Sequence, residues 1–98
     1  MLKKNYSKTG KSCRVTFKLP AEVKAESVIL CGDFNDWDEN SNPMKKLKDG
    51  SYSQTLSLNC EKEYRFRYLL DGSDWENDWE ADKYMTNDFG SEDSVIVV

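Results

Sequence analysis

Three tryptophans sit where packing would not put them. Trp37 lies in Asp33-Phe34-Asn35-Asp36-Trp37-Asp38, and Trp75 and Trp79 lie in Asp71-Gly72-Ser73-Asp74-Trp75-Glu76-Asn77-Asp78-Trp79-Glu80. A tryptophan that serves a core is expected within an apolar alternation, whereas stretches like these stay near water because their polar groups need it. Exposing so large a ring has a cost that folding alone does not explain, so the three read as contact residues. A flat ring among carboxamides and acids suits a pyranose. The C–H face of the sugar lies on the ring, and its rim of hydroxyls takes hydrogen bonds from Asn, Asp, Lys and Arg. The plainer reading is that one or more of these rings folds back to cap the end of the domain.

Other chemistries fit less well. The chain has no histidine, which removes the commonest general base, the Ser-His-Asp and Cys-His nucleophile systems and the commonest metal ligand. Acid pairs such as Asp36/Asp38 and Glu76/Asp78 could suggest glycoside hydrolysis, but one acid of such a pair must be held where its pKa rises. These read as solvated charges on open loops, and no catalytic residue is expected. Asp36-x-Asp38-x-Asn40 copies the start of a calcium loop, yet its sixth position is Ser41 and its twelfth Leu47, where Gly and Glu belong. Cys13, Cys31 and Cys60 are widely spaced with no C-x-x-C pair, so zinc is not expected and the thiols read as buried and reduced. No metal or cofactor is implied.

Ninety-eight residues fit one domain with one core. The net charge of −4 is unevenly spread: residues 1–18 hold six of the fourteen basic residues and no acid, and the rest carry a balance of −10. An acidic body is a poor partner for nucleic acid or an anionic lipid surface. Residues 1–11 read as a basic, solvated and partly disordered arm, with the domain over 12–98. The opening MLKKNYSKTGK has no apolar run, so neither a signal peptide nor a membrane span is expected and the chain reads as cytoplasmic.

The elements that must position the rings are strands, because the dominant hydrophobic period is two. Cys13, Val15, Phe17 and Leu19 alternate with polar residues up to Pro20; Val28–Cys31 is a short apolar run; Tyr52 to Leu58 follows an Asp49-Gly50 turn. Tyr64, Phe66, Tyr68 and Leu70 form the clearest alternation and stop at Asp71-Gly72, and Val95–Val98 closes the chain. Shorter strands are expected near 44–47 and 83–86. No window supports an amphipathic helix, so the fold class is an all-β antiparallel sandwich or barrel.

A resemblance enters at these same residues. Val28-Ile29-Leu30-Cys31-Gly32-Asp33-Phe34-Asn35-Asp36-Trp37 resembles the G-x-F-N-x-W strand and loop of the glycogen-binding domain of AMP-activated protein kinase beta subunits. Tyr64 to Trp75 looks like that family's Y-K-F-x-V-D-G-x-W hairpin, and Asn87 to Val97 is similar to its closing L-G-x-x-N-N-x-I segment. Order and spacing agree over 12–98, and the family is carbohydrate-binding module 48, the isoamylase N-terminal or early-set domain.

The resemblance implies an immunoglobulin-like sandwich that stacks α-1,4-glucan, such as glycogen, starch or maltodextrin, on two tryptophans. Trp37 and Trp75 would be the platforms. Arg67 stands where the family has a hydrogen-bonding Lys, and Phe89 where a hydrophobic side chain meets the curve of the glucan. Ser91 and Asp93 stand where a Thr and an Asn bond sugar hydroxyls. Trp79 falls where a Pro or small residue is expected, and either enlarges the platform or packs on its loop. The alternative is a protein-interaction module that docks on a glucan-metabolising enzyme or kinase-like complex without binding sugar itself.

Overall fold

The alternation over 12–19 becomes the centre of one sheet and the alternation over 64–70 the centre of another. In the computed structural model, which describes residues 2–98, nine strands follow in order. They are β1 (Leu2–Tyr6), β2 (Ser12–Leu19), β3 (Val28–Gly32), β4 (Lys45–Lys46), β5 (Tyr52–Asn59), β6 (Glu63–Leu70), β7 (Asp74–Glu76), β8 (Lys83–Thr86) and β9 (Glu92–Val97). One sheet runs β1-β2-β5-β4, the other β3-β6-β9-β8, and β7 pairs with the end of β6. Every pairing of named strands is antiparallel. The molecule is an all-β sandwich of the immunoglobulin-like, early-set kind. Among the described residues, helix is limited to a 3-10 turn at Asp33–Asn35, and no helix is long and apolar enough to cross a membrane.

The inner faces carry the predicted apolar positions. Cys13, Val15, Phe17 and Leu19 of β2 meet Leu30, Phe66, Tyr68 and Ile96 from the facing sheet in one cluster. Phe17 and Phe66 contact edge to face with ring centroids 5.1 Å apart, and Phe34 reaches in from the 3-10 turn at 5.5 Å from Phe17. Each such side chain, fully removed from water, contributes about 1.5–3 kcal/mol.

Two features depart from the sequence reading. The basic stretch expected to be a partly disordered arm contains β1, which pairs with β2 from Leu2↔Phe17 to Tyr6↔Cys13. Its order comes from main-chain hydrogen bonds along an open sheet edge, and a polar strand can make those as well as an apolar one. Trp75 lies on strand β7 rather than in a loop, opposite Leu69. Among the thiols, Cys13 and Cys31 are buried as expected, while Cys60 is half-buried; all three are free.

The outer face of the second sheet is not an ordinary solvent face. Cross-strand pairing puts Cys31, Arg67, Leu69, Arg65 and Val95 on this side, yet Cys31, Leu69 and Val95 are buried. Cys31 Sγ lies 3.6 Å from the Asp38 carbonyl oxygen of the segment 33–42, and Leu69 stands opposite Trp75 of the β6–β7 hairpin. This second, smaller packed layer is the floor on which the candidate site stands.

Candidate functional site

Two loops and one hairpin converge on that floor. The first follows Gly32, where an added Cβ would lie 2.5 Å from the Arg65 carbonyl oxygen and 2.8 Å from the Phe34 ring. Only glycine lets β3 and β6 approach so closely here. Asn35 then knits the loop: its Oδ1 accepts from Gly32 N–H at 3.0 Å, and its Nδ2 donates to the Leu30 carbonyl at 2.9 Å and to Asn42 Oδ1 at 2.7 Å. Asp33 ties the loop to β6, accepting from the Arg65 main-chain N–H at 2.9 Å and from Trp37 Nε1 at 3.0 Å. Asp36 and Trp37 both have φ near +55 to +58°. This left-handed region is a genuine outlier for a bulky residue, and such backbone strain clusters at ligand-binding positions.

The β6–β7 hairpin brings up Trp75. Its ring centroid lies 6.3 Å from that of Trp37 at 66°, and the Arg67 guanidinium stands 5.6 Å from its ring centre. The third contributor is the β8–β9 connection. There Asn87 Oδ1 accepts from the main-chain N–H groups of Phe89 and Ser91 at 2.9 and 3.1 Å, and Asn87 Nδ2 donates to Asp93 Oδ1 at 3.1 Å. This tight turn presents Phe89 at 93% exposure.

Together these elements enclose an open groove of about 580 Å³, lined by Trp37, Glu39, Arg65, Arg67, Trp75, Thr86, Asn87, Asp88, Phe89 and Asp93. A larger depression of about 920 Å³ beside residues 21–27 has no aromatic ring in its lining. The smaller groove, with three aromatic residues and convergent hydrogen-bonding groups, is the chemically equipped one. Its cations are both arginines. Asp93 is buried beneath them, 3.4 Å from Arg65 Nη1 and 3.9 Å from Arg67 Nε. The Arg67 Nε is itself buried with no hydrogen-bond partner, with the guanidinium over Trp75 and the Asp93 carboxylate 3.9 Å from that nitrogen. Behind the floor, burial and the charges of Glu39 and Asp38 push the Cys31 thiol up to about 11, which leaves it an inert packing group.

Of the residues singled out from sequence, Trp37, Trp75, Arg67, Phe89 and Asp93 line one groove. Asp93 is the one that lies under it. Ser91 is exposed on the turn behind Phe89, its carbonyl accepting from Asn87 N–H at 2.8 Å. Trp79 lies outside the groove lining, half exposed, with Nε1 3.4 Å from Glu76 Oε1. Arg65 and Asn87 were not anticipated. The partner that gives each its place is Asp93, 28 and 6 residues away in sequence.

Asp78 overturns one expectation. Read as a solvated loop charge, it is buried at 1% exposure. Its carboxylate accepts from the Tyr68 hydroxyl at 2.7 Å and from Glu80 N–H at 2.8 Å, and its own N–H donates to Ser94 Oγ at 2.8 Å. A carboxylate enters a protein interior when bonds of this kind replace water. Asp38 is capped locally by Ser41 Oγ and Asn40 N–H, which hold its carboxyl below the usual range.

Comparison with known proteins agrees with the geometry. A family profile described as carbohydrate-binding module 48 (isoamylase N-terminal domain) matches residues 4–85, a span that includes both groove tryptophans and ends before Phe89 and Asp93. The chain is also 35% identical over 66 residues to the 1,4-alpha-glucan branching enzyme GlgB of Aquifex aeolicus (strain VF5). That stretch takes in 66% of this chain and 10% of the enzyme, so the chain spans a small fraction of its relative's length. With the sandwich, the G-D-F-N-D-W loop and the profile in agreement, the chain belongs to carbohydrate-binding module family 48.

Proposed function

We propose that this domain binds α-1,4-glucan, as in glycogen, starch or maltodextrin, in the Trp37–Trp75 groove without catalysing its breakdown or synthesis. The observation that carries the proposal is the convergence of two indoles from separate segments, 6.3 Å apart, on an open groove whose rim is arginine, carboxylate and amide. The Trp37 ring N–H is already taken by Asp33, which leaves its face as the available contact. Two sugar residues stack on Trp37 and Trp75, Arg67 and Arg65 donate to hydroxyls, and Asp93 holds the two guanidiniums in place. Asn87 sets the turn that offers Phe89 to the outside of the glucan's curve, with Ser91 at its margin. The similarity to a 1,4-alpha-glucan branching enzyme supports the choice of glucan.

Covering one face of an indole contributes on the order of 1 kcal/mol by area. Two or three rings and a few hydrogen bonds then correspond to a dissociation constant of about 10–1000 μM, characteristic of a shallow preformed groove. The test is a titration of wild type and Trp37→Ala with β-cyclodextrin and maltoheptaose, followed by tryptophan fluorescence. Saturable binding by wild type that disappears in a folded Trp37→Ala supports the proposal. If wild type shows no binding up to several millimolar, the proposal fails and the domain is a docking module for a protein partner.

A further inference from the structure

The segment after β7 carries its own aromatic surface, hung on one buried residue. Beyond its carboxylate bonds to Tyr68 and Glu80, Asp78 receives the Tyr84 hydroxyl on its main-chain carbonyl at 2.6 Å and is anchored through its N–H to Ser94. These bonds fix the backbone on both sides of Trp79, and yet Trp79 is 51% and Tyr84 42% exposed. A rigid mount under two exposed rings is what a contact surface needs, because little conformational freedom is left to lose when a ligand arrives.

We propose that Trp79, with Tyr84 fixed to the same residue, forms a second α-glucan contact that is separate from the groove. It engages polymeric glucan and plays no part in binding a short oligosaccharide. The inference rests on the reading of the groove as a glucan site. Its chemistry repeats that of the groove in miniature: an indole face for the C–H side of a pyranose, with the Glu76 carboxylate 3.4 Å from Trp79 Nε1 as an acceptor for hydroxyls. Trp79 is four residues from Trp75, so their Cα atoms are at most about 14 Å apart. While one segment of a glucan polymer occupies the groove, a neighbouring segment is held at high local concentration beside Trp79. A maltotriose that fills the groove brings no second segment.

The experiment compares wild type, Trp79→Ala, Trp79→Phe and Trp37→Ala on two ligands. Maltotriose is measured by calorimetric titration, and glycogen by retardation in glycogen-containing native gels. Trp79→Ala is expected to bind maltotriose as wild type does and to bind glycogen about five-fold more weakly. Trp79→Phe restores most of the glycogen binding, and Trp37→Ala loses both ligands. Wild-type behaviour of Trp79→Ala on both ligands overturns the inference and leaves the groove reading standing. An equal loss on both ligands also overturns it, because Trp79 would then belong to the groove. If wild type binds neither ligand, the groove reading fails and this one falls with it.

Discussion

The Tyr68–Asp78 pair offers the sharpest check on the fold's interior. Asp78→Ala removes a carboxylate that accepts at 2.7 Å from Tyr68 and at 2.8 Å from Glu80 N–H. A stranded buried donor costs about 1–3 kcal/mol; with one such donor buried and the other partly so, Asp78→Ala is expected to cost about 3 kcal/mol. Tyr68→Phe deletes one hydrogen bond to a charged group, at about 2 kcal/mol. The double variant removes both partners of the Tyr68–Asp78 bond, so the single costs do not add, and the coupling is expected at about 2 kcal/mol. For a domain of this size each kcal/mol lowers Tm by about 4–8 °C.

The same pair makes a pH prediction. Burial first, then the Asp78 charge and its hydrogen bond, hold the Tyr68 hydroxyl well above its ordinary value. The unfolded chain releases this proton near pH 10 while the folded chain keeps it, so the stability contributed by neutral Tyr68 is complete below pH 10 and declines above it. The slope is about 1.4 kcal/mol per pH unit. The stability difference between wild type and Tyr68→Phe should therefore shrink above pH 10. Chemical denaturation of the four proteins at neutral and alkaline pH measures both effects. Additive costs in the cycle, or an Asp78→Ala protein within 0.5 kcal/mol of wild type, about the spread of an ordinary surface substitution, would refute the assignment of Asp78 to the interior.

Further outcomes follow from the groove's support. Gly32→Ala places a methyl 2.5 Å from the Arg65 carbonyl oxygen, and main chain cannot swing aside as a side chain can. We expect a loss of about 1–3 kcal/mol together with weakened maltoheptaose binding, since the Trp37 loop must move; an unchanged Tm and affinity would contradict the close approach. The thiols should separate into classes. Cys13 and Cys31 are buried, and Cys31 is raised to about 11, so at pH 8 both are expected to react with a disulfide reagent only on unfolding, while half-buried Cys60 reacts in the native protein. Three thiols modified at one common rate in the absence of denaturant would contradict this.

The strands with strict alternation were legible because a half-buried strand imprints its two faces on the sequence: Cys13 to Leu19 and Tyr64 to Leu70 lie where the pattern put them. β1 and β7 were not legible. Leu2–Tyr6 is a strand because β2 offers it an edge, and Asp74–Glu76 because the β6 turn folds it back onto Leu69; neither stretch has a face of its own. The groove was legible as far as single residues could announce themselves, since an indole among acids is conspicuous wherever it ends up. What one residue does for another was hidden. Asp78 reads like its acidic neighbours until Tyr68 and Ser94, ten and sixteen residues away, close around it. Arg65 reads as a strand charge until Asp93 faces it across the sheet. The position of Trp79 outside the groove follows from the same buried carboxylate and was equally beyond reach of local pattern.

The molecule also sorts its positive charges by kind. None of the eleven lysines lines the groove, whose cations are Arg65 and Arg67. An amine-directed reagent, whether it tethers the protein to a sensor chip, attaches a dye or methylates it for crystallisation, therefore meets no side chain of the groove. Labelling through the lysines leaves the groove's own side chains unmodified, and an arginine-selective dicarbonyl becomes the complementary probe.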